Sequence, residues 1–165
     1  MFSKKNSLLA ITIASLAIST GTMAASLTVK ATVLSTCSID NAALNFSDYD
    51  VLNTSATVGQ TNLTYRCTKG VTPKISLNKG GGDSITSRKL KYNNDTLSYS
   101  LLKPVNNNCN NATENWGDNN GTWYSPPSPT LGKADQNVLV CGSISPGQDV
   151  PAGTYTDTVT ITITP

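Results

Sequence analysis

Apolar and polar residues alternate with a period of two in several short stretches, which is the signature of half-buried β-strands. Leu27, Val29, Ala31 and Val33 alternate with Thr28, Lys30 and Thr32, predicting a two-faced strand near the N-terminal end. Cys37-Ser38-Ile39 continues extended, and Leu44-Asn45-Phe46 predicts a further short strand before a polar stretch to Gly59. Residues 62–68 alternate again, and Ile75 and Leu77 share one face of residues 73–78. Three glycines in series, Gly80-Gly81-Gly82, mark a loop. Residues 89–93 and 96–103 predict two strands joined by a tight turn at Asn94-Asp95, since Asn and Asp suit turns. Residues 104–129, rich in Asn and Pro, predict loop, and residues 136–144 a strand. The clearest alternation lies at residues 155–164, where Tyr155, Val159, Ile161 and Ile163 face away from Thr158, Thr160, Thr162 and Thr164. Short strands with turn signals between them predict an all-β sandwich rather than a parallel α/β sheet.

Composition supports that reading and narrows the chemistry. Ser, Thr and Asn are abundant while Glu114 is the only glutamate, so strong helix formers are scarce. The 165 residues suit one domain. There is no histidine, which removes Ser-His and Cys-His nucleophile pairs and the commonest zinc ligand. Two carboxylates alone hydrolyse glycosides in many enzymes, but no paired acidic motif stands out here. We therefore expect no enzyme activity and no cofactor. Asp48-Tyr49-Asp50 lacks the spacing of a calcium loop and reads as a solvated turn. Trp116 and Trp123 near Asp118 read as packing anchors before they read as a sugar platform.

The first 24 residues read as a secretory leader. Lys4 and Lys5 form a positive start, residues 8–18 an apolar run, and small residues lead to a cut after Ala24. The run is shorter than the roughly 20 residues that span a bilayer. Residues 25–165 would then form the mature domain, with no integral membrane segment. Formal net charge is +2, and both leader lysines would be removed with the leader. Near-neutrality argues against nucleic acid or an anionic membrane as partner. Cys37, Cys67, Cys109 and Cys141 are even in number, lack CxxC spacing and suit two disulfides in an exported chain. Three pairings are open, and loop entropy does not choose among them.

The run Pro151-Ala152-Gly153-Thr154-Tyr155-Thr156-Asp157-Thr158-Val159-Thr160-Ile161-Thr162-Ile163 resembles the closing strand of the spore coat protein U domain family. That family includes the major subunits of archaic chaperone–usher pili. Cys37-Ser38-Ile39, Leu44-Asn45-Phe46, and Leu97-Ser98-Tyr99-Ser100-Leu101 followed by Trp116-Gly117-Asp118 agree with it. The resemblance implies an immunoglobulin-like sandwich that lacks one strand and is completed by a donor strand from a neighbouring subunit. It implies that residues 25–35 are such a strand, with Leu27, Val29, Ala31 and Val33 entering the neighbour's groove. It implies a Cys37–Cys67 bridge between the first two strands and, with it, Cys109–Cys141. The partners implied are neighbouring pilin subunits, a periplasmic chaperone and an outer-membrane usher, with export to a surface fibre that serves adhesion or biofilm formation. The competing expectation is an exported single-domain adhesin or glycan-binding module.

Overall fold

A computed structural model describes residues 21–119 and 121–165. Most of the expected leader, residues 1–20, lies outside the described residues. The chain divides into residues 1–32 and residues 33–165. In the first unit, residues 21–32 form no strand, and each is exposed. The alternating stretch at 27–33 thus has the pattern of a strand without a ladder, because a strand exists only against a partner edge.

The second unit is all-β among its described residues. Its strands are β1 (Cys37–Ile39), β2 (Thr57–Cys67), β3 (Lys74–Leu77), β4 (Arg88–Tyr92), β5 (Asp95–Leu102), β6 (Gln136–Ile144) and β7 (Ile161–Thr164). Five of them form an antiparallel sheet in the order β1-β2-β6-β5-β4, and β3 pairs with β7 in a second sheet. The inward residues of β2 (Leu63, Tyr65), β5 (Leu97, Tyr99, Leu101) and β6 (Val138, Val140, Ile144) meet Ile75 and Leu77 of β3 in one core. Each fully buried Leu, Ile or Val contributes about 1.5–3 kcal/mol by leaving water.

The loop between β5 and β6 supplies the centre of that core. Trp116 is 0% exposed, and its indole N–H donates to the Ile75 carbonyl at 2.8 Å. The Asn-rich run before it is a built turn. Asn106 and Asn107 both adopt positive φ (51° and 54°), and Val105 pairs with Asn108 across them. Asn tolerates the left-handed region better than most residues. Asn107 Oδ1 then accepts from the Leu139 N–H at 3.0 Å, on the stretch of β6 beyond the β5 pairing at Leu102–Cys141. Cys109 is bridged to Cys141 on β6, and Cys37 on β1 to Cys67 on β2.

Four expected elements differ in detail. The β4–β5 register pairs Tyr92 with Asp95, so the turn centres on Asn93-Asn94, one residue earlier, with Asn93 at φ 51°. β2 begins at Thr57, inside the expected polar stretch, because β6 offers an edge along all of residues 57–65. Residues 44–46 form no ladder, although Leu44 and Phe46 pack against the core. Only Ile161–Thr164 of the stretch 155–164 is a strand; Thr156 makes an isolated bridge to Lys91, and the rest lacks a regular ladder. The last two departures have one cause, described next.

Candidate functional site

The core is open along one side. A groove of about 1020 Å³ runs between residues 42–51 and residues 150–159, with Ile161 at its end. Its floor is the core itself: Leu63, Leu77, Leu90, Leu97, Tyr99, Leu101, Val140 and Ile144. Leu44, Phe46 and Tyr49 from one lip, and Tyr155, Val159 and Ile161 from the other, turn toward this floor and are only partly buried. Both lips have strand-like alternation in sequence, and neither has a full set of ladder partners. A sandwich missing one strand produces this arrangement, since the strand that would lie between the lips is what would pair them.

Each lip is anchored at defined points. On the first, the Tyr49 hydroxyl accepts from the Gln148 N–H at 2.8 Å and donates to the Ser145 carbonyl at 3.2 Å. Gln148 in turn holds β5, its side-chain amide exchanging two hydrogen bonds with the Ser98 backbone at 2.7 and 2.9 Å. On the second, Asp157 is the pivot. Its Oδ1 accepts from the Gly81 and Thr158 N–H groups, and its Oδ2 from the Tyr99 hydroxyl at 2.7 Å. Burial, and then the Asp157 carboxylate facing it, push the Tyr99 hydroxyl well above the ordinary tyrosine range. Tyr155 packs on Tyr92 with ring centroids 5.5 Å apart, and its hydroxyl donates to the Pro151 carbonyl.

Arg88 of β4 is a buried cation that forms no salt bridge among the described residues. Its guanidinium donates to the carbonyls of Leu77, Asn78, Ile85 and Trp116 at 2.7–3.0 Å. Burial lowers its pKa. It ties β3, β4 and the Trp116 loop together where no ladder does.

The residues singled out in the sequence fall into separate places. Tyr155, Val159 and Ile161 line the groove, whereas Ile163 packs against the core beyond it. Leu27, Val29 and Val33 are 88%, 83% and 81% exposed, and Ala31 is exposed too. The cysteines are all in disulfides and line no part of the groove. Trp116 is buried, and the Lys74 ammonium sits 4.7 Å from the centre of the Trp123 ring. Asp50 serves its own turn, accepting from the Leu52 N–H at 2.9 Å. Sequence reading missed Phe46, Tyr99 and Asp157 as groove residues. Phe46 and Tyr99 stand edge to face at 6.1 Å. The available signal was the alternation of Leu44 and Phe46, which marks an apolar face but not a groove.

Among the described residues, no helix is long and apolar enough to cross a membrane. The Spore Coat Protein U domain model matches residues 23–162. Protein U of Myxococcus xanthus is 34% identical over 161 residues, covering 87% of this chain and 85% of that protein. A solved structure, the CsuC–CsuE chaperone–tip adhesion subunit pre-assembly complex from archaic chaperone–usher Csu pili of Acinetobacter baumannii, is similar with a TM-score of 0.54. Identity there is 27% over 80% of this chain, which spans 40% of the solved chain. An open all-β sandwich and a family match over nearly its whole length lead to one assignment: the chain belongs to the Spore Coat Protein U domain family.

Proposed function

We propose that residues 25–165, released from a leader at 1–24, form a structural subunit of an extracellular fibre assembled by donor-strand exchange. The observation that carries this is the open groove, whose floor is the subunit's own core. Leaving such a surface in water forfeits the burial of its apolar side chains and leaves lip amides and carbonyls without ladder partners. An added strand supplies both: backbone hydrogen bonds to the lips and alternate side chains to the floor. Residues 25–35 have the required form, with Leu27, Val29, Ala31 and Val33 on one face and Thr28, Lys30 and Thr32 on the other.

A strand given by one subunit to the next makes a head-to-tail contact, which propagates as a filament and does not close. Before assembly the groove must be filled by something else. The likeness to a chaperone-bound pilus subunit supports a periplasmic chaperone in that role and an outer-membrane usher as the site of exchange. The fibre would act at the cell surface in adhesion or biofilm formation. This function is mechanical and calls on no catalytic group or cofactor.

Sedimentation velocity of the mature chain with and without excess peptide of residues 25–35 tests the reading. The expected result is concentration-dependent polymers that the peptide converts to capped monomers. A monomer that neither polymerises nor takes up the peptide contradicts it.

A further inference from the structure

Gly59 of β2 and Gly142 of β6 lie opposite each other in the sheet register. Both are on the inward face, in line with Leu63 and Val140. Glycine inside a strand weakens it by losing packing and gaining unfolded-state entropy. Neither residue has a positive φ, so backbone conformation does not call for glycine at either place. The space above them does. A Cβ on Gly142 would stand 2.8 Å from Cε1 and Cζ of Phe46 and 3.0 Å from Cδ2 of Leu44. A Cβ on Gly59 would stand 2.9 Å from the Asn45 carbonyl oxygen and 3.1 Å from Leu44 Cδ2 and Phe46 Cδ1.

The pair is therefore a shallow seat in the sheet, and the groove's first lip rests in it. Between Asp40, whose N–H donates to the Thr64 carbonyl, and Tyr49, bonded to Ser145 and Gln148, the lip makes no hydrogen bond to the sheet among the described residues. Its position over that span is set by how deeply Leu44 and Phe46 sink. Phe46 also contacts Tyr99 on the groove floor, so a ring lifted off the seat moves into the space an added strand would fill.

We infer that Gly59 and Gly142 are positioning residues for strand capture: by lacking side chains they seat Leu44 and Phe46 and so set the width of the groove. This rests on the groove being a strand acceptor. It assigns to two residues outside the groove lining a share in which strands the groove admits.

The test uses the full mature chain, dilute enough to stay monomeric, and a fluorescent peptide of residues 25–35. Gly142→Ala should weaken peptide uptake tenfold or more, while the Cys37–Cys67 and Cys109–Cys141 bridges still form. Phe46→Leu added to Gly142→Ala should restore uptake, because it removes the ring atoms the new Cβ meets. Phe46→Leu should not rescue Gly59→Ala, whose nearest obstacle is the Asn45 backbone. Uptake by Gly142→Ala equal to wild type, or a loss that Phe46→Leu does not reverse, overturns the inference. If Gly142→Ala does not fold, recovery of folding by Phe46→Leu supports the seat and failure to recover overturns it. The seat is also read without any strand, from nuclear Overhauser contacts between the Phe46 and Tyr99 rings. Loss of these in Gly142→Ala, with no uptake even by wild type, contradicts the acceptor reading while keeping the seat; unchanged contacts overturn the seat itself.

Discussion

Replacing Arg88 with Met keeps the aliphatic stem and removes the guanidinium. Arg88 is 0% exposed and gives hydrogen bonds to four backbone carbonyls, on Leu77, Asn78, Ile85 and Trp116. Each carbonyl left buried without a donor costs about 1–3 kcal/mol. At the low end for all four, the loss is about 4 kcal/mol. Removing a desolvated charge offsets part of this, since a buried cation carries its own penalty. A net destabilisation of about 3 kcal/mol or more remains, a large share of the roughly 5–15 kcal/mol that holds a domain folded. With a urea m-value of about 1–3 kcal/mol/M, the unfolding midpoint should fall by about 1 M or more. Equilibrium urea unfolding with both disulfides intact, followed by tryptophan fluorescence, measures it. Arg88→Lys should lie between the two, since one ammonium reaches fewer carbonyls. A midpoint shift below about 0.3 M for Arg88→Met would refute the reasoning, because it would mean that the carbonyls find other donors at no cost.

Alkaline stability should depend on Tyr99: its raised pKa means the folded chain keeps a proton that the unfolded chain loses near pH 10, so its contribution is complete below about pH 10 and declines as pH rises toward the folded value. Unfolding midpoints between pH 8 and pH 11 should show a shallower decline in Tyr99→Phe than in wild type. Asn107→Ala forces alanine into a positive φ and gives up the exposed hydrogen bond from the Leu139 N–H, and should lower stability by about 1–2 kcal/mol in thermal unfolding, whereas Asn106→Gly should be nearly neutral. Replacing Cys109 and Cys141 together with Ser opens a loop of 32 residues and should cost about 3–4 kcal/mol, read from urea unfolding beside the wild type.

Much of the sandwich is legible because its inner strands follow the period of two. Residues 136–144 place Val138, Val140 and Ile144 on one face at a spacing of two, although Leu139 and Cys141 make the other face apolar as well, and β6 has those bounds. The turn at Asn93-Asn94 is displaced by one position because Asn, Asn and Asp in a row all suit turns, and only the cross-strand register separates them. The Asn-rich run reads as plain loop, yet its hairpin depends on two left-handed residues and on a backbone N–H supplied from β6, far away in sequence. The groove is hardest to read from the chain. Alternation at 44–46 and 155–160 shows two faces, but it does not show that the strand between those segments is missing. Nor does sequence reveal why Gly59 and Gly142 are glycines, since the side chains they accommodate lie on a segment with no ladder to them.

Assembly of Val29→Asp beside Thr28→Asp, each co-expressed with the cognate chaperone, tests strand donation most directly. Val29 is 83% exposed in the single chain, so the charge is harmless there and becomes costly only on entering an apolar groove, by several kcal/mol. Thr28 points to the opposite face of an extended strand. The account predicts that Val29→Asp retains the soluble chaperone complex and loses surface fibres, while Thr28→Asp retains both. Loss of the soluble complex in Val29→Asp, or fibres as abundant as those of the wild type, would contradict it.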